Sequence, residues 1–102
     1  MALTKINKYE VMYSANAFMP RIWLKDNSNY IGQLIFMPNG SALPPDNMVN
    51  GQVELYYHLD DFQNAIDLLR NESPMCLLYV GSAGGFENGI KTTKEAVGEG
   101  EA

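Results

Sequence analysis

The sequence predicts a small α+β domain: an antiparallel sheet of four to five strands with one helix packed on a face, in the order ββββαβ. Three observations point there. Four segments before residue 58 alternate with the period of two that a half-buried strand requires. Residues 62–69 repeat apolar side chains at helical spacing. A short apolar run, 75–80, follows a proline that ends that helix. The chain has 102 residues, 46% of them apolar and 19% charged, with six Tyr, four Phe and Trp23. That is enough apolar material for one packed core and too much for a disordered chain.

In the first strand, Lys8–Ser14, Tyr9, Val11 and Tyr13 share one side and Glu10 and Met12 the other. Asn16–Pro20 breaks it, and Arg21–Lys25 forms the second, with Ile22 and Leu24 opposite Arg21, Trp23 and Lys25. Asp26–Asn29 is a turn by composition, so the next strand folds back as a hairpin. That third strand, Tyr30–Met37, is apolar on both sides, with Tyr30, Leu34 and Phe36 against Ile31, Ile35 and Met37. Asn39–Asn50 reads as a long loop, with Leu43 and Met48 pinning it to the body. The fourth strand, Gln52–Tyr57, places Val53, Leu55 and Tyr57 on one face and Gln52, Glu54 and Tyr56 on the other.

Phe62, Ala65, Ile66, Leu68 and Leu69 make a helical stripe. Asp60 or Asp61 serves as its N-cap, and Gln63 as the returning half of a capping box. Ser73-Pro74 stops the helix, and Met75–Val80 follows as a short buried strand. Gly81–Gly89 holds four glycines, and residues 91–102 form a polar tail with almost nothing to bury. One domain over residues 1–90 and a mobile tail over 91–102 are therefore expected.

Seven basic against twelve acidic residues give a net charge of −5, a sign that repels nucleic-acid backbones and anionic membranes unless the cations gather on one face. One cysteine, Cys76, and one histidine, His58, allow no intrachain disulfide and no structural zinc site. The N-terminal residues lack the apolar stretch of a secretory signal. A cytoplasmic protein without membrane segments is the expectation.

Among candidate sites, Arg21, Trp23 and Lys25 alternate on one strand face, a pattern that suits single-stranded nucleic acid because bases stack on the ring while cations meet phosphates, at ~1–3 kcal/mol per stacked base. The competing reading is favoured: Arg21 and Lys25 pair across strands with Glu10 or Glu54, and Trp23 packs under a loop or a second subunit. Four meandering strands followed by a capped helix, about residues 8–72, resemble in topology the repeating unit of the Whirly and transcriptional-coactivator single-stranded DNA binders. The resemblance implies helix-linked dimers. The chain departs from that pattern in its apolar segment after the helix and in its acidic balance, so no site residue is carried over.

The remaining motifs carry no chemistry. Gly81-Ser-Ala-Gly-Gly-Phe86 fits neither the dinucleotide nor the P-loop spacing. His58 stands beside Asp60 and Asp61 but has no second histidine, Cys76 has no flanking cation in the chain, and no GxSxG elbow is present. No catalytic residue, metal ligand or cofactor site is expected.

The apolar surplus is more informative. One helix covers one face of a sheet, the third strand is apolar on both, and six methionines suit adaptable contact surfaces. The second face then needs a cover: a second copy, the loop 39–50 or an apolar ligand, of which a two-fold homodimer has the highest base rate. The leading expectation is a non-enzymatic binding domain, homodimeric through its sheet, that takes a partner protein or small apolar ligand in a cleft of Trp23, Tyr56 and the loop residues Leu43 and Met48. The alternative is a single-stranded DNA- or RNA-binding protein using Arg21, Trp23 and Lys25.

Overall fold

The segments Arg21–Asp26 (β3) and Asn29–Met37 (β4) form an antiparallel hairpin, as their alternation and the polar turn between them require. Asn27 takes the left-handed conformation at the turn, with φ 59°, which asparagine tolerates better than most residues. Around this hairpin the computed structural model, which describes residues 2–82 and 85–93, builds two sheets. The mobility expected of the tail lies, from residue 94 onward, outside the described residues, as do Ala83 and Gly84 of the glycine-rich stretch.

The larger sheet has the order β2-β3-β4-β6-β5, with β2 at Lys8–Met12, β5 at Asn47–Val49 and β6 at Gln52–His58. The smaller has the order β1-β7-β8, with β1 at Ala2–Ile6, β7 at Met75–Tyr79 and β8 at Gly89–Thr92. A short 3-10 turn, Leu59–Asp61, leads into helix α1, Phe62–Asn71.

The α+β class stands, but the single antiparallel sheet in the order ββββαβ does not. β6 pairs with β4 in parallel, Leu34 opposite Leu55 and Phe36 opposite Tyr57. A parallel pair cannot be closed by a hairpin. After Met37 the chain therefore crosses beyond the place β6 will occupy, descends as β5, and turns back at Asn50-Gly51 to insert β6 between β4 and β5. Both turn residues have positive φ, 53° and 79°, the conformation that a two-residue hairpin matched to strand twist needs. The four-strand antiparallel meander behind the topological resemblance is thereby broken. β1 and β8 are additional strands, and the segment read as a mobile tail begins inside β8.

The second sheet accounts for much of the apolar surplus. Ile22, Leu24, Leu34, Phe36, Val53 and Leu55 project from one face of the large sheet into a core completed by Ile6, Met75 and Leu77 of the small sheet and Ala65 of α1. Phe36, fully buried, meets the Phe62 ring edge-on at 4.8 Å and stacks on Tyr57 at 5.7 Å. Leu43 and Met48 do not pin the loop, since both are exposed, at 41% and 42%.

Two local expectations change for stated reasons. A bulge between Leu24 and Lys25 pairs Lys25 with Tyr30 and leaves Ile31 without an opposite residue. The extra residue reverses the facing of what precedes it, so Ile31 packs on the core and Tyr30 shares the outer face with Lys25. Asp61 makes no side-chain cap bond, because its backbone is already near-helical at φ −88° and ψ −3°, whereas a capping residue needs extended geometry. Gln63 bonds Asp67 at 2.9 Å instead of reaching back.

At Gly32, opposite Val53 in the parallel pair, an added Cβ would lie 2.5 Å from the Val53 carbonyl oxygen. Backbone cannot yield as a flexible side chain can. Gly32→Ala is expected to lower stability by about 2–3 kcal/mol, read as an earlier urea midpoint. An unchanged midpoint would show that β4 and β6 separate there at little cost.

Candidate functional site: the outer face of the large sheet

The face of the large sheet turned away from the core is organised by register. Arg21, Ile35 and Tyr56 form one row across β3, β4 and β6, and Trp23, Gln33 and Glu54 form the next. Glu10 on β2 extends the second row beside Trp23, and Lys25 with Tyr30 begins a third. All but the exposed Glu10 are half-buried. The structure thus brings together Arg21, Trp23, Lys25 and Tyr56. It separates Met48, which pairs with the inward-facing Val53 and so lies on the opposite side of the sheet margin. Leu43 stands exposed on the loop before β5.

The charges on this face are largely engaged with one another. Lys25 Nζ lies 2.7 Å from Glu10 Oε2, the cross-strand pairing anticipated for it. The Arg21 guanidinium sits 5.5 Å from the centre of the Trp23 ring, within cation–π range. Gln33 Nε2 donates to Glu54 Oε2 at 3.1 Å. Burial first, then the Glu54 charge, raises the Tyr30 and Tyr56 hydroxyls above the ordinary tyrosine value. Two polar atoms on the face, Arg21 Nε and Gln33 Oε1, are shielded from water without a hydrogen-bond partner. Such atoms are costly and uncommon in native proteins.

Along one margin the segment between β4 and β5 is fastened by polar bonds. Asn39 and Asp60 exchange two, Nδ2 to Oδ1 at 2.9 Å and backbone N–H to Oδ1 at 2.8 Å. His58 Nε2 donates to the Ser41 carbonyl at 2.8 Å, which requires the proton on that nitrogen. Asp46 accepts from the Tyr56 backbone N–H and from Asn88 Nδ2, both at 3.0 Å. Asn88 in turn accepts the Val80 N–H at 2.7 Å and donates to the Gly81 carbonyl at 2.8 Å. Asp46 and Asn88 therefore tie the edge of the large sheet to the β7–β8 connection. His58 and Asp60 are spent on these contacts and do not form a base cluster.

Two features escaped sequence reasoning because they depend on β1 and β8. A cleft of about 440 Å³ opens where Leu3, Leu78, Ile90 and Lys91 meet Tyr57. Cys76, whose chain neighbours are apolar, lies between Lys5 and Lys91 across the small sheet. Its thiol is free and buried. Among the described residues, no group of three or more His, Cys, Asp or Glu side chains is placed to hold a metal ion, and no helix is long and apolar enough to cross a membrane.

Searches of protein-family models, curated proteins and solved structures give no match to this chain.

Tyr57 supplies a pH signature. Burial raises its hydroxyl pKa above 10.0, Asp46 adds to the rise, the Ile90 backbone N–H opposes it, and Asp61 adds a smaller increment. A raised folded-state pKa means that the folded chain holds its proton more tightly than the unfolded chain. Stability is then fully retained below about pH 10 and falls as pH climbs from there through the folded value. Urea midpoints measured from pH 8 to 11 should show this alkaline decline, and Tyr57→Phe should flatten it. An equal slope in the variant would remove Tyr57 as its source.

Proposed function

We propose that the chain is a non-enzymatic binding module whose contact surface is the outer face of the large sheet, closed in solution by a second copy of itself and able to engage a partner protein or small apolar ligand. The supporting observation is the face itself: Trp23, Tyr30, Ile35 and Tyr56 lie half-buried on one side of the sheet, with Lys25 paired to Glu10 and Gln33 bonded to Glu54. Lys8, Arg21 and Lys25 stand against Glu10 and Glu54, so the face is close to neutral although the whole chain carries −5. Two such faces can meet about a two-fold axis without the repulsion the net charge would otherwise impose. A reducing, cytoplasmic setting accords with the single free cysteine.

Light scattering over roughly micromolar to millimolar concentration is expected to show a monomer–dimer equilibrium, as for interfaces at the small end of the usual range. Ile35→Asp, which places a charge at the centre of the face, should hold the protein monomeric and shift Trp23 emission to the red. A monomer throughout, with Trp23 emission independent of concentration, would remove the dimer.

A second reading rests on Arg21, Trp23 and Lys25 occupying one face together with Tyr30 and Tyr56. The same face then binds single-stranded DNA or RNA. An oligothymidylate should quench Trp23, with affinity falling as salt rises. Unquenched emission at low ionic strength would dismiss this reading.

A further inference from the structure

Asparagine is followed by glycine at three places in the chain, Asn39-Gly40, Asn50-Gly51 and Asn88-Gly89. The dipeptide carries a chemistry of its own. A backbone nitrogen can attack the side-chain amide carbon of the asparagine before it and close a cyclic imide. Glycine permits this more readily than other residues, since no Cβ crowds the attacking nitrogen. The reaction needs that nitrogen and the amide carbon to reach a near-attack geometry, so whatever holds the asparagine side chain elsewhere suppresses it.

Two of the three side chains are held. Asn39 donates to Asp60 Oδ1 at 2.9 Å and accepts the Asp60 N–H at 2.8 Å. Asn88 is bonded through both ends of its amide: Oδ1 accepts the Val80 N–H at 2.7 Å, and Nδ2 donates to the Gly81 carbonyl at 2.8 Å and to Asp46 Oδ2 at 3.0 Å. Asn50 differs. It stands exposed at the tip of the β5–β6 hairpin, and its side chain makes no hydrogen bond among the described residues. The Gly51 N–H, which supplies the attacking nitrogen, has no backbone acceptor among them either. No atom lies within 4 Å of where a Cβ of residue 51 would be, so water reaches the turn freely. The turn needs positive φ at both residues, 53° and 79°, and Asn-Gly is the pair that meets this need at least cost. The dipeptide that closes the hairpin is thus also the one most open to cyclisation.

We propose that Asn50-Gly51 is a self-modification site, converting with water as co-reactant to aspartate and isoaspartate at residue 50. The Gly51 nitrogen bonds to Asn50 Cγ, the Cγ–Nδ2 bond breaks, and the side-chain nitrogen leaves as ammonia with the proton that Gly51 gives up. Water then adds to either carbonyl of the imide and opens it, to aspartate or to isoaspartate, whose main chain runs through the former side-chain carbonyl. Both products add a negative charge to a chain already at −5. Isoaspartate also lengthens the main chain by a methylene, at the two-residue turn that sets Val49 opposite Gln52. The test is incubation of the full chain in mildly alkaline buffer, with each Asn-Gly peptide followed by the mass gain of amide-to-acid conversion. In the folded protein Asn50 should react at least about tenfold faster than Asn39 or Asn88, which must first give up their hydrogen bonds. In concentrated urea the three should react at similar rates. Asp60→Ala, which removes the acceptor of Asn39 Nδ2, should speed Asn39 and leave Asn50 unchanged, with circular dichroism confirming that the variant is folded. Equal rates at the three positions in the folded chain, or an Asn50 rate that rises on unfolding as much as those of Asn39 and Asn88, would overturn the site.

Discussion

Parallel pairing of β4 with β6 is the constraint on which the rest of the molecule depends. Two parallel neighbours cannot be joined by a tight turn, so the chain between Met37 and Gln52 must travel the length of the sheet and return. β5 is that return, Asn50-Gly51 is its hairpin, and the stretch before β5 is the strap that the crossing requires. Polar bonds from Asn39, Ser41 and Asp46 then hold the strap against β6 and its downstream turn. Through Asn88 the same strap reaches the connection of the small sheet. One change of strand direction thus determines how the two sheets are coupled.

The two faces of β4 have opposite characters because of where this pairing places them. Leu34 and Phe36 point into a core shared by both sheets and α1, where burial is complete. Ile35 and Gln33 point the other way, among aromatic rings and matched charges. The Arg21 guanidinium lies over the Trp23 indole, and the Glu54 carboxylate accepts from the Gln33 amide.

What could be read in the sequence was whatever depends on neighbours along the chain. Alternation located β2, β3, β4 and β6 within a residue or two, and the stripe from Phe62 to Leu69 located α1. Arg21, Trp23 and Lys25 share one sheet face with Tyr56, a placement that needs only alternation and adjacency of strands. Features set by distant partners were illegible. β1 and β8 carry weak patterns of their own and become strands only when β7 lies between them. The bulge that turns Tyr30 outward is decided by register against β3, and no property of Tyr30 itself announces it. Asn50-Gly51 was legible in principle, since that dipeptide is a strong hairpin signal, but the loop composition around it obscured the three-residue strand before it.

The small sheet has a consequence for how the protein is made. Its central strand, Met75–Tyr79, pairs with Ala2–Ile6 on one side and Gly89–Thr92 on the other. During synthesis the first of these strands emerges early and has no partner until some seventy residues later have followed it. Ile6 and Leu77, which help close the core, belong to that late pairing. Contacts of such long sequence separation form slowly, and domains are assembled at the ribosome only as fast as their residues appear. The large sheet with its helix can gather first as an incomplete body, exposing the apolar side chains that the small sheet will cover. The interval between those two events is when this chain is most vulnerable to aggregation and proteolysis.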